Sequence, residues 1–281
     1  MSLESAKDCA LRPNRSRADW PFVAGLCVIG GCYAGLIVAM ILADLAFTTP
    51  GHLLAALRNE NIRFAIQLSL ISCSITTVLS LWVAVPLGYL MSRHRFPGRG
   101  LLDAVLDIPI VLPPLVIGLS LLILMQTAPG RALEKLIPVT YAVPAVILAQ
   151  FSVACAFAVR TMRVSFDQIN PRSEQVALTL GCSRHQAFWR VTIPEARRGI
   201  LTAATLAWAR SLGEFGPILV FAGATRMKTE VLSTTVFLEL SIGNLEAAVA
   251  VSLLMIGAAG VVLLLVRWLG SDATFGKGLE P

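Results

Sequence analysis

Charged residues are scarce in this chain. Asp, Glu, Lys and Arg together make up 14% of its 281 residues, whereas hydrophobic types make up 56%. So few charged groups cannot cover the surface of a water-soluble domain of this length. The shortage of charge and the mean hydropathy of +0.74 exclude an ordinary soluble protein and predict an integral membrane protein.

Patterns that hold metals or nucleotides are missing as well. The six cysteines and three histidines are scattered, with no zinc-ligand spacing and no His-Glu-x-x-His run. No Gly-x-x-x-x-Gly-Lys-Ser/Thr stretch occurs anywhere in the sequence. We therefore expect no metal site in this chain, and if the protein depends on ATP, another subunit must bind it.

Six apolar runs are long enough to cross a hydrocarbon layer of about 30 Å at about 1.5 Å per residue. They occupy residues 20–47, 64–91, 101–125, 139–159, 199–222 and 245–268. Residues 231–240 are apolar over a shorter length, so we expect an interfacial or re-entrant helix there. The sequence thus predicts an all-α, polytopic protein in which residues 20–269 form the membrane domain, and residues 1–19 and 270–281 form tails.

The basic residues are distributed unevenly between the two sides of these runs. Sixteen of the 23 Lys and Arg residues lie on the side that holds both termini and residues 160–198, six lie on the opposite side, and Arg210 lies inside the fifth run. Cytosolic segments of membrane proteins carry the excess of positive charge. Both tails are therefore predicted to be cytosolic, and the net charge of +6 needs no nucleic acid as a partner.

The polar interval between the fourth and fifth runs, residues 170–194, is predicted to begin with a short cytosolic helix. Asn170 followed by Pro171 is typical of an N-cap and a first helical residue. Gly181 is placed to end this helix, and we expect it to have a positive φ.

A second short helix is predicted after this glycine. Ser183 and Gln186 have the spacing of a capping box, and Pro194 is expected to end the helix. Both helices carry apolar residues at positions i, i+1 and i+4, namely Val176, Ala177 and Leu180 in the first and Ala187, Phe188 and Val191 in the second. Two helices this short cannot bury both of these apolar stripes against each other. The unit must therefore rest on the membrane domain, on a partner, or on both.

The same interval resembles the EAA loop of ABC importer permeases, which reads Glu-Ala-Ala, three residues, Gly, nine residues, Ile-x-Leu-Pro. The matching positions are Gln175-Val176-Ala177, Gly181 and Val191-Thr192-Ile193-Pro194. The chain departs from the pattern at Gln175, which replaces the glutamate, and at Val176, which replaces the first alanine, although Glu174 precedes them.

Two further stretches narrow the resemblance. Residues 106–114, Leu-Asp-Ile-Pro-Ile-Val-Leu-Pro-Pro, are similar to the proline-rich third helix of molybdate-type permeases. Residues 209–216, Ala-Arg-Ser-Leu-Gly-Glu-Phe-Gly, resemble the Ala-Arg-Ala-Leu-Gly-Glu-Phe-Gly run of their fifth helix. With the loop, the resemblance covers residues 60–270 and points to the molybdate, tungstate and sulfate branch of the binding-protein-dependent permeases.

The resemblance implies the fold of a type I ABC importer transmembrane domain in the bacterial cytoplasmic (inner) membrane. It also implies a homodimer in which each copy holds one cytosolic ABC ATPase subunit, while an extracytoplasmic solute-binding protein delivers the solute. ATP and magnesium would then be bound by the partner ATPase. This chain would have no cofactor and no catalytic residues, and would serve as the translocation subunit for an oxyanion such as molybdate, tungstate or sulfate.

Other functions stay open from the sequence. An ABC importer permease for another small solute fits the motifs as well. A stand-alone secondary transporter would carry inverted repeats and several intramembrane acids for ion coupling, neither of which is evident here. A membrane-embedded enzyme would need paired titratable side chains at one depth, and only Arg210 and Glu214 meet that condition.

The resemblance implies that nine residues of the loop couple this chain to the ATPase. They are Glu174, Gln175, Ala177, Gly181, Ala187, Phe188, Val191, Ile193 and Pro194. Of these, the apolar stripe from Ala187 to Val191 is expected to dock in a groove of the ATPase.

A charged pair marks the fifth run. Arg210 and Glu214 lie one helical turn apart, at a depth where each charge costs about 2.5–3.5 kcal/mol. They are expected to form a mutual ion pair, to line the dimer interface or the pathway, where Arg210 would offset the charge of an anion, or to do both. Nearby glycines and a proline would let this helix bend at a gate, and the tandem prolines of the third run are expected to kink it. The pathway candidates are Arg210, Gly213, Glu214, Gly216, Pro217, Pro113 and Pro114.

Overall fold

The structure is a computed structural model that describes residues 20–271, and every regular element in that range is a helix. The predicted all-α fold is therefore confirmed for the described residues. The predicted tails lie outside them, apart from residues 270 and 271. The chain divides into two units after Thr49, so the first helix, α1 (Trp20–Phe47), is described by itself as one uninterrupted apolar helix.

The second unit begins at Pro50 and contains the remaining helices. They are α2 (Pro50–Arg58), α3 (Glu60–Arg93), α4 (Arg99–Val111), α5 (Pro114–Gln126), α6 (Ala128–Leu136), α7 (Val143–Gln168), α8 (Pro171–Thr179), α9 (Arg184–Ala187), a π-helical turn (Phe188–Thr192), α10 (Ile193–Leu212), α11 (Gly216–Phe221), α12 (Leu232–Ser241) and α13 (Leu245–Ser271).

Four of the described helices, α1, α3, α7 and α13, are long and apolar enough to cross a membrane. The bent pair formed by α4 and α5 makes a fifth if it is counted as one span. The predicted number of six is not confirmed, because the fifth predicted run, residues 199–222, is divided between α10 and the short α11. The short helix predicted at residues 231–240 is present as α12.

Helices α3, α7 and α10 pack against one another at the centre of the second unit. Their contact faces are built largely from alanine, and Ala84 of α3, Ala154 and Ala158 of α7, and Ala203 and Ala207 of α10 are buried in one cluster. Small side chains let helix backbones approach closely, and this packing holds helices together where lipid removes the hydrophobic driving force. The three helices therefore form a close-packed frame for the rest of the unit.

The third predicted span is broken at its tandem prolines. Helix α4 ends at Val111, α5 begins at Pro114, and the two axes differ in direction by 113°. A residue that precedes a proline is driven out of the helical region, and both Leu112 (ψ 141°) and Pro113 (ψ 132°) precede one. Two consecutive extended residues turn the expected kink into a complete break.

The fifth predicted span is broken as well. Helix α10 ends at Leu212, and α11 begins at Gly216. Pro217 lacks the N–H that would bond the carbonyl of Gly213, and its ring would collide with that carbonyl in a continuous helix. Phe215 takes φ −123° and ψ −53°, which redirects the chain between the two helices.

Candidate coupling loop and pathway breaks

The first helix of the polar interval has the predicted ends. The side chain of Asn170 accepts a hydrogen bond from the backbone N–H of Arg172 at 3.0 Å. Gly181 has a φ of +89°. The N–H of Cys182 donates to the carbonyl of Ala177 at 3.1 Å, which is the long bond of a Schellman motif. The turn between the two helices is thus fixed by local chemistry readable in the sequence.

The second helix begins as predicted but does not end at Pro194. Ser183 and Gln186 form both bonds of the capping box. Helix α9 then passes through the π-helical turn directly into α10, which contains Pro194. The wider π turn makes room for the proline ring, which in a regular helix would press on the carbonyl of Arg190. The predicted stop is therefore wrong, and the loop is continuous with the helix that carries Arg210.

Glu174 fastens the polar interval to the end of α3. The hydroxyl of Tyr89 donates to the carboxylate of Glu174, and Arg93 Nε lies 3.7 Å from the other carboxylate oxygen. The ring of Tyr89 also packs edge-on against Phe188 at 4.8 Å and Phe166 at 5.7 Å between centroids. Glu174 is expected to serve coupling, and in the structure it contacts Tyr89 and Arg93 of this chain. Sequence reasoning missed Tyr89, which no local pattern distinguishes.

The nine predicted coupling residues do not share one outward face. Gln175, Gly181 and Pro194 are exposed, Glu174, Phe188, Val191 and Ile193 are partly buried, and Ala177 and Ala187 are buried. Ala187 has 0% exposure because this chain itself covers it, and the docking of its stripe on an ATPase stays a prediction. Within this stripe, the ring of Phe188 packs against that of Tyr89 on α3. The large apolar side chains that the interval does expose are Val176, Leu180 and Trp189.

Replacing Gly181 with Val is expected to separate ATP hydrolysis from transport. No atom lies within 4 Å of a Cβ at this position, so the change acts only through the backbone. A left-handed conformation costs an L-residue about 1–2 kcal/mol, so the turn shifts and the second helix is misplaced. Uptake and ATP hydrolysis should be measured together, with Gly181→Asn as the tolerated control. Normal uptake by Gly181→Val at normal membrane abundance would contradict the prediction.

The two broken spans meet directly. A Cβ on Gly216 would lie 3.0 Å from Pro114 Cβ, and a Cβ on Gly118 would lie 2.8 Å from Pro217 Cα. Three pathway candidates, Pro114, Gly216 and Pro217, are thus brought together, and glycine is required for this close approach. Gly118 completes the contact, and sequence reasoning did not identify it. Gly213 stands apart, since the nearest atom to its Cβ position is 3.8 Å away.

Arg210 and Glu214 form a mutual ion pair across the second break. Arg210 Nη1 lies 2.6 Å from Glu214 Oε2. The Glu214 side chain is 1% exposed and that of Arg210 is 29% exposed. The Arg210 guanidinium also lies 5.7 Å from the centre of the Phe157 ring. Because α10 ends at Leu212, the pair joins the last turn of the helix to the segment beyond it.

The sequence of this chain matches a known family. The family model described as binding-protein-dependent transport system inner membrane component matches residues 84–273. A probable molybdenum ABC transporter permease protein of Haloferax volcanii is 35% identical over 224 residues, which cover 80% of this chain and 81% of that protein. The sulfate transport system permease protein CysT of Escherichia coli is 31% identical over 84% of this chain and 86% of its own length.

A further relative and a solved structure agree with these matches. The molybdenum transport system permease protein ModB of Escherichia coli is 32% identical over 73% of this chain and 92% of its own length. A bacterial alginate ABC transporter crystallised with its pentasaccharide-bound periplasmic protein has the same fold, with a TM-score of 0.73, 16% identity and coverage of 92% of this chain and 96% of that one. The chain therefore belongs to the binding-protein-dependent transport system inner membrane components, the multi-pass permease subunits of ABC importers.

Proposed function

We propose that this chain is the translocation subunit of an ATP-driven importer for a tetrahedral oxyanion, most simply molybdate, with tungstate and sulfate as alternatives. The observation that carries the proposal is the Arg210–Glu214 pair at the break of the helix that continues from the cytosolic loop. Relatives named as molybdenum, sulfate and molybdate/tungstate permeases support an oxyanion over another small solute.

Arg210 is the residue proposed to meet the anion. Its guanidinium keeps part of its surface exposed, whereas the carboxylate of Glu214 is buried. A planar guanidinium pairs well with oxyanions. Glu214 bonds one side of the Arg210 guanidinium and thereby fixes its orientation. The pair thus places a positive charge at the break, and Glu214 balances that charge when no anion occupies the pathway.

The cytosolic loop is proposed to transmit the movement of the ATPase. Helix α9, the π turn and α10 form one continuous rod that runs from the loop to the break at residues 213–215. Tyr89 and Glu174 hold α8 to the end of α3, so the loop and frame move together. Closure of two ATPase subunits would draw two such rods together and change the packing at the break, which would open the pathway to the outside.

The proposed assembly is a homodimer with two cytosolic ABC ATPase subunits and an extracytoplasmic solute-binding protein. Both termini would be cytosolic, as the distribution of Lys and Arg predicts. ATP and magnesium would be bound by the ATPase, so this chain would take no cofactor and carry out no chemistry. Two differently tagged copies of the chain should then be recovered in one complex.

Leu180 is expected to be a main contact with the ATPase. It is 80% exposed at the turn between α8 and α9, so Leu180→Asp should leave the fold intact and bury an unpaired carboxylate in the interface. The ATPase should be lost from the purified complex. Leu136→Asp is the matched control, because Leu136 is 81% exposed on α6, far along the chain from the loop. A full complement of ATPase with Leu180→Asp would contradict this contact.

The solute is best identified through the ATPase of the assembled complex. A binding protein loaded with molybdate, tungstate or sulfate should stimulate ATP hydrolysis, while the same protein without an oxyanion should not. Stimulation by a binding protein carrying an unrelated neutral solute, and none by the oxyanions, would leave the chain an ABC permease and refute the proposed substrate class.

A further inference from the structure

Side chains from two other helices bond the carbonyl of Ser211, in the last turn of α10, and the carbonyl of Glu214, just beyond that helix. The last carbonyls of a helix have no partners within that helix. Here Gln150 Nε2 of α7 donates to the carbonyl of Ser211 at 3.3 Å. Ser233 Oγ at the start of α12 donates to the carbonyl of Glu214 at 2.7 Å. The two bonds lie on either side of Gly213, so one holds the last turn of α10 and the other holds the second break itself.

Gln150 is itself fixed in position. It is 1% exposed, and the hydroxyl of Thr76 on α3 donates to its Oε1 at 3.3 Å. A carbonyl such as that of Ser211 only accepts hydrogen bonds, so the amide nitrogen must face it and the amide oxygen must face Thr76. A buried amide in a membrane helix is unfavourable unless both of its ends are bonded, and here both are.

Ser233 is held by the same frame helix. The backbone N–H of the preceding residue, Leu232, donates to Ser69 Oγ of α3 at 2.8 Å. Ser69 and Thr76 are both buried, and they lie seven residues apart on one face of α3. One helix of the central frame, α3, therefore bonds the side chain of Gln150 and the backbone next to Ser233.

We propose that Gln150 and Ser233 are positioning residues that hold the break at residues 213–215 in its resting geometry. They thereby set the orientation of the Arg210–Glu214 pair. This inference rests on the proposed function, in which the break rearranges during transport. With either bond removed, the break rearranges without the signal from a loaded binding protein, so ATP is hydrolysed without transport.

The test uses the complex of this chain with its ATPase in lipid vesicles. ATP hydrolysis is measured with and without the loaded binding protein, and solute uptake is measured in parallel. Loss of one neutral hydrogen bond shifts the equilibrium between the resting and the rearranged break by about fivefold. Gln150→Leu and Ser233→Ala should therefore each lower the ratio of stimulated to basal hydrolysis about fivefold. The loss should come mainly from a rise in basal hydrolysis.

Two hydroxyl deletions serve as matched controls. Thr77 on α3 donates to the carbonyl of Cys73, and Ser241 on α12 donates to the carbonyl of Phe237, both at 2.7 Å and both within their own helix. Thr77→Val and Ser241→Ala remove a hydroxyl from the frame helix α3 and from α12 without touching the break. Their ratios should equal that of the wild type.

Gln150→Glu adds a readout that a purely structural role would not give. A protonated carboxyl donates to the carbonyl of Ser211, and a carboxylate does not. Because only the protonated form restores the bond to Ser211, the ratio for this variant should rise as the pH falls from about 8 to about 6, measured against the wild type at each pH.

The outcomes separate the inference from the proposed function. A wild-type complex without stimulation by any loaded binding protein refutes the proposed function and the inference with it. A stimulated wild type, with Gln150→Leu and Ser233→Ala changing only thermal stability while their ratios match the controls, refutes the inference alone. If Gln150→Leu fails to reach the membrane, the ratio for Ser233→Ala and the pH response of Gln150→Glu decide whether the two residues have the positioning role.

Discussion

Glu214→Gln alone is expected to destabilise the permease strongly and to stop transport. The carboxylate is buried, and its removal leaves the guanidinium of Arg210 without its 2.6 Å partner. Removing one member of a buried ion pair costs about 3–5 kcal/mol, and the partial exposure of Arg210 favours the lower end of that range. The measurement is the thermal unfolding of the purified permease, alongside its uptake of solute.

The double variant Arg210→Met with Glu214→Gln shows whether the pair only stabilises the fold or also contacts the transported anion. It removes both charges of the pair together, so it should be as stable as the wild type. If Arg210 meets the anion, as proposed, the double variant should nevertheless transport nothing. The control is His52→Gln with Glu246→Gln, a more exposed pair at 3.2 Å, which should transport normally. A stable double variant with the wild-type rate would refute a pathway role.

Gly118→Ala is expected to disturb the contact between the two breaks. Its Cβ would lie 2.8 Å from the Cα and 2.9 Å from the carbonyl oxygen of Pro217, and these backbone atoms cannot move aside as a flexible side chain would. Forcing an extra methyl group into a packed contact costs about 1–3 kcal/mol. Here the strain falls on the segment next to Arg210 and Glu214, so uptake should fall sharply.

Gly213→Ala is the matched control for this substitution. Gly213 has a φ of −81°, and the nearest atom to its Cβ position is 3.8 Å away, so an alanine fits both the backbone and the space. Its uptake should be normal. Equal uptake by Gly118→Ala, Gly213→Ala and the wild type would contradict a functional contact between the two breaks.

Local signals in the sequence predicted the structure of the loop at residues 170–194 closely. The cap at Asn170, the positive φ of Gly181 and the capping box at Ser183 each depend on residues within a few positions of one another. The predicted stop at Pro194 was wrong because the continuity of α9 and α10 depends on the π turn. That turn changes the bonding pattern just ahead of the proline, and no composition rule indicates it.

Contacts between distant parts of the chain were beyond sequence reasoning. Tyr89 and Glu174 are 85 positions apart, and Gln150 and Ser211 are 61 apart. The apolar stripe at Ala187 was recognised, but periodicity states only that a face is apolar and not which surface covers it. The hydropathy pattern likewise predicted two continuous spans that are in fact broken at Pro113 and Pro217. A break in the helix leaves the apolar content of the segment unchanged, so hydropathy does not reveal it.

Transport in sealed vesicles tests the central claim most directly. The chain and its ATPase are reconstituted with ATP enclosed, and labelled oxyanion with its binding protein is added outside. The account predicts that the label accumulates above its external concentration only when both ATP and the loaded binding protein are present. Accumulation by this chain alone, driven by an ion gradient without ATP or a binding protein, would contradict it.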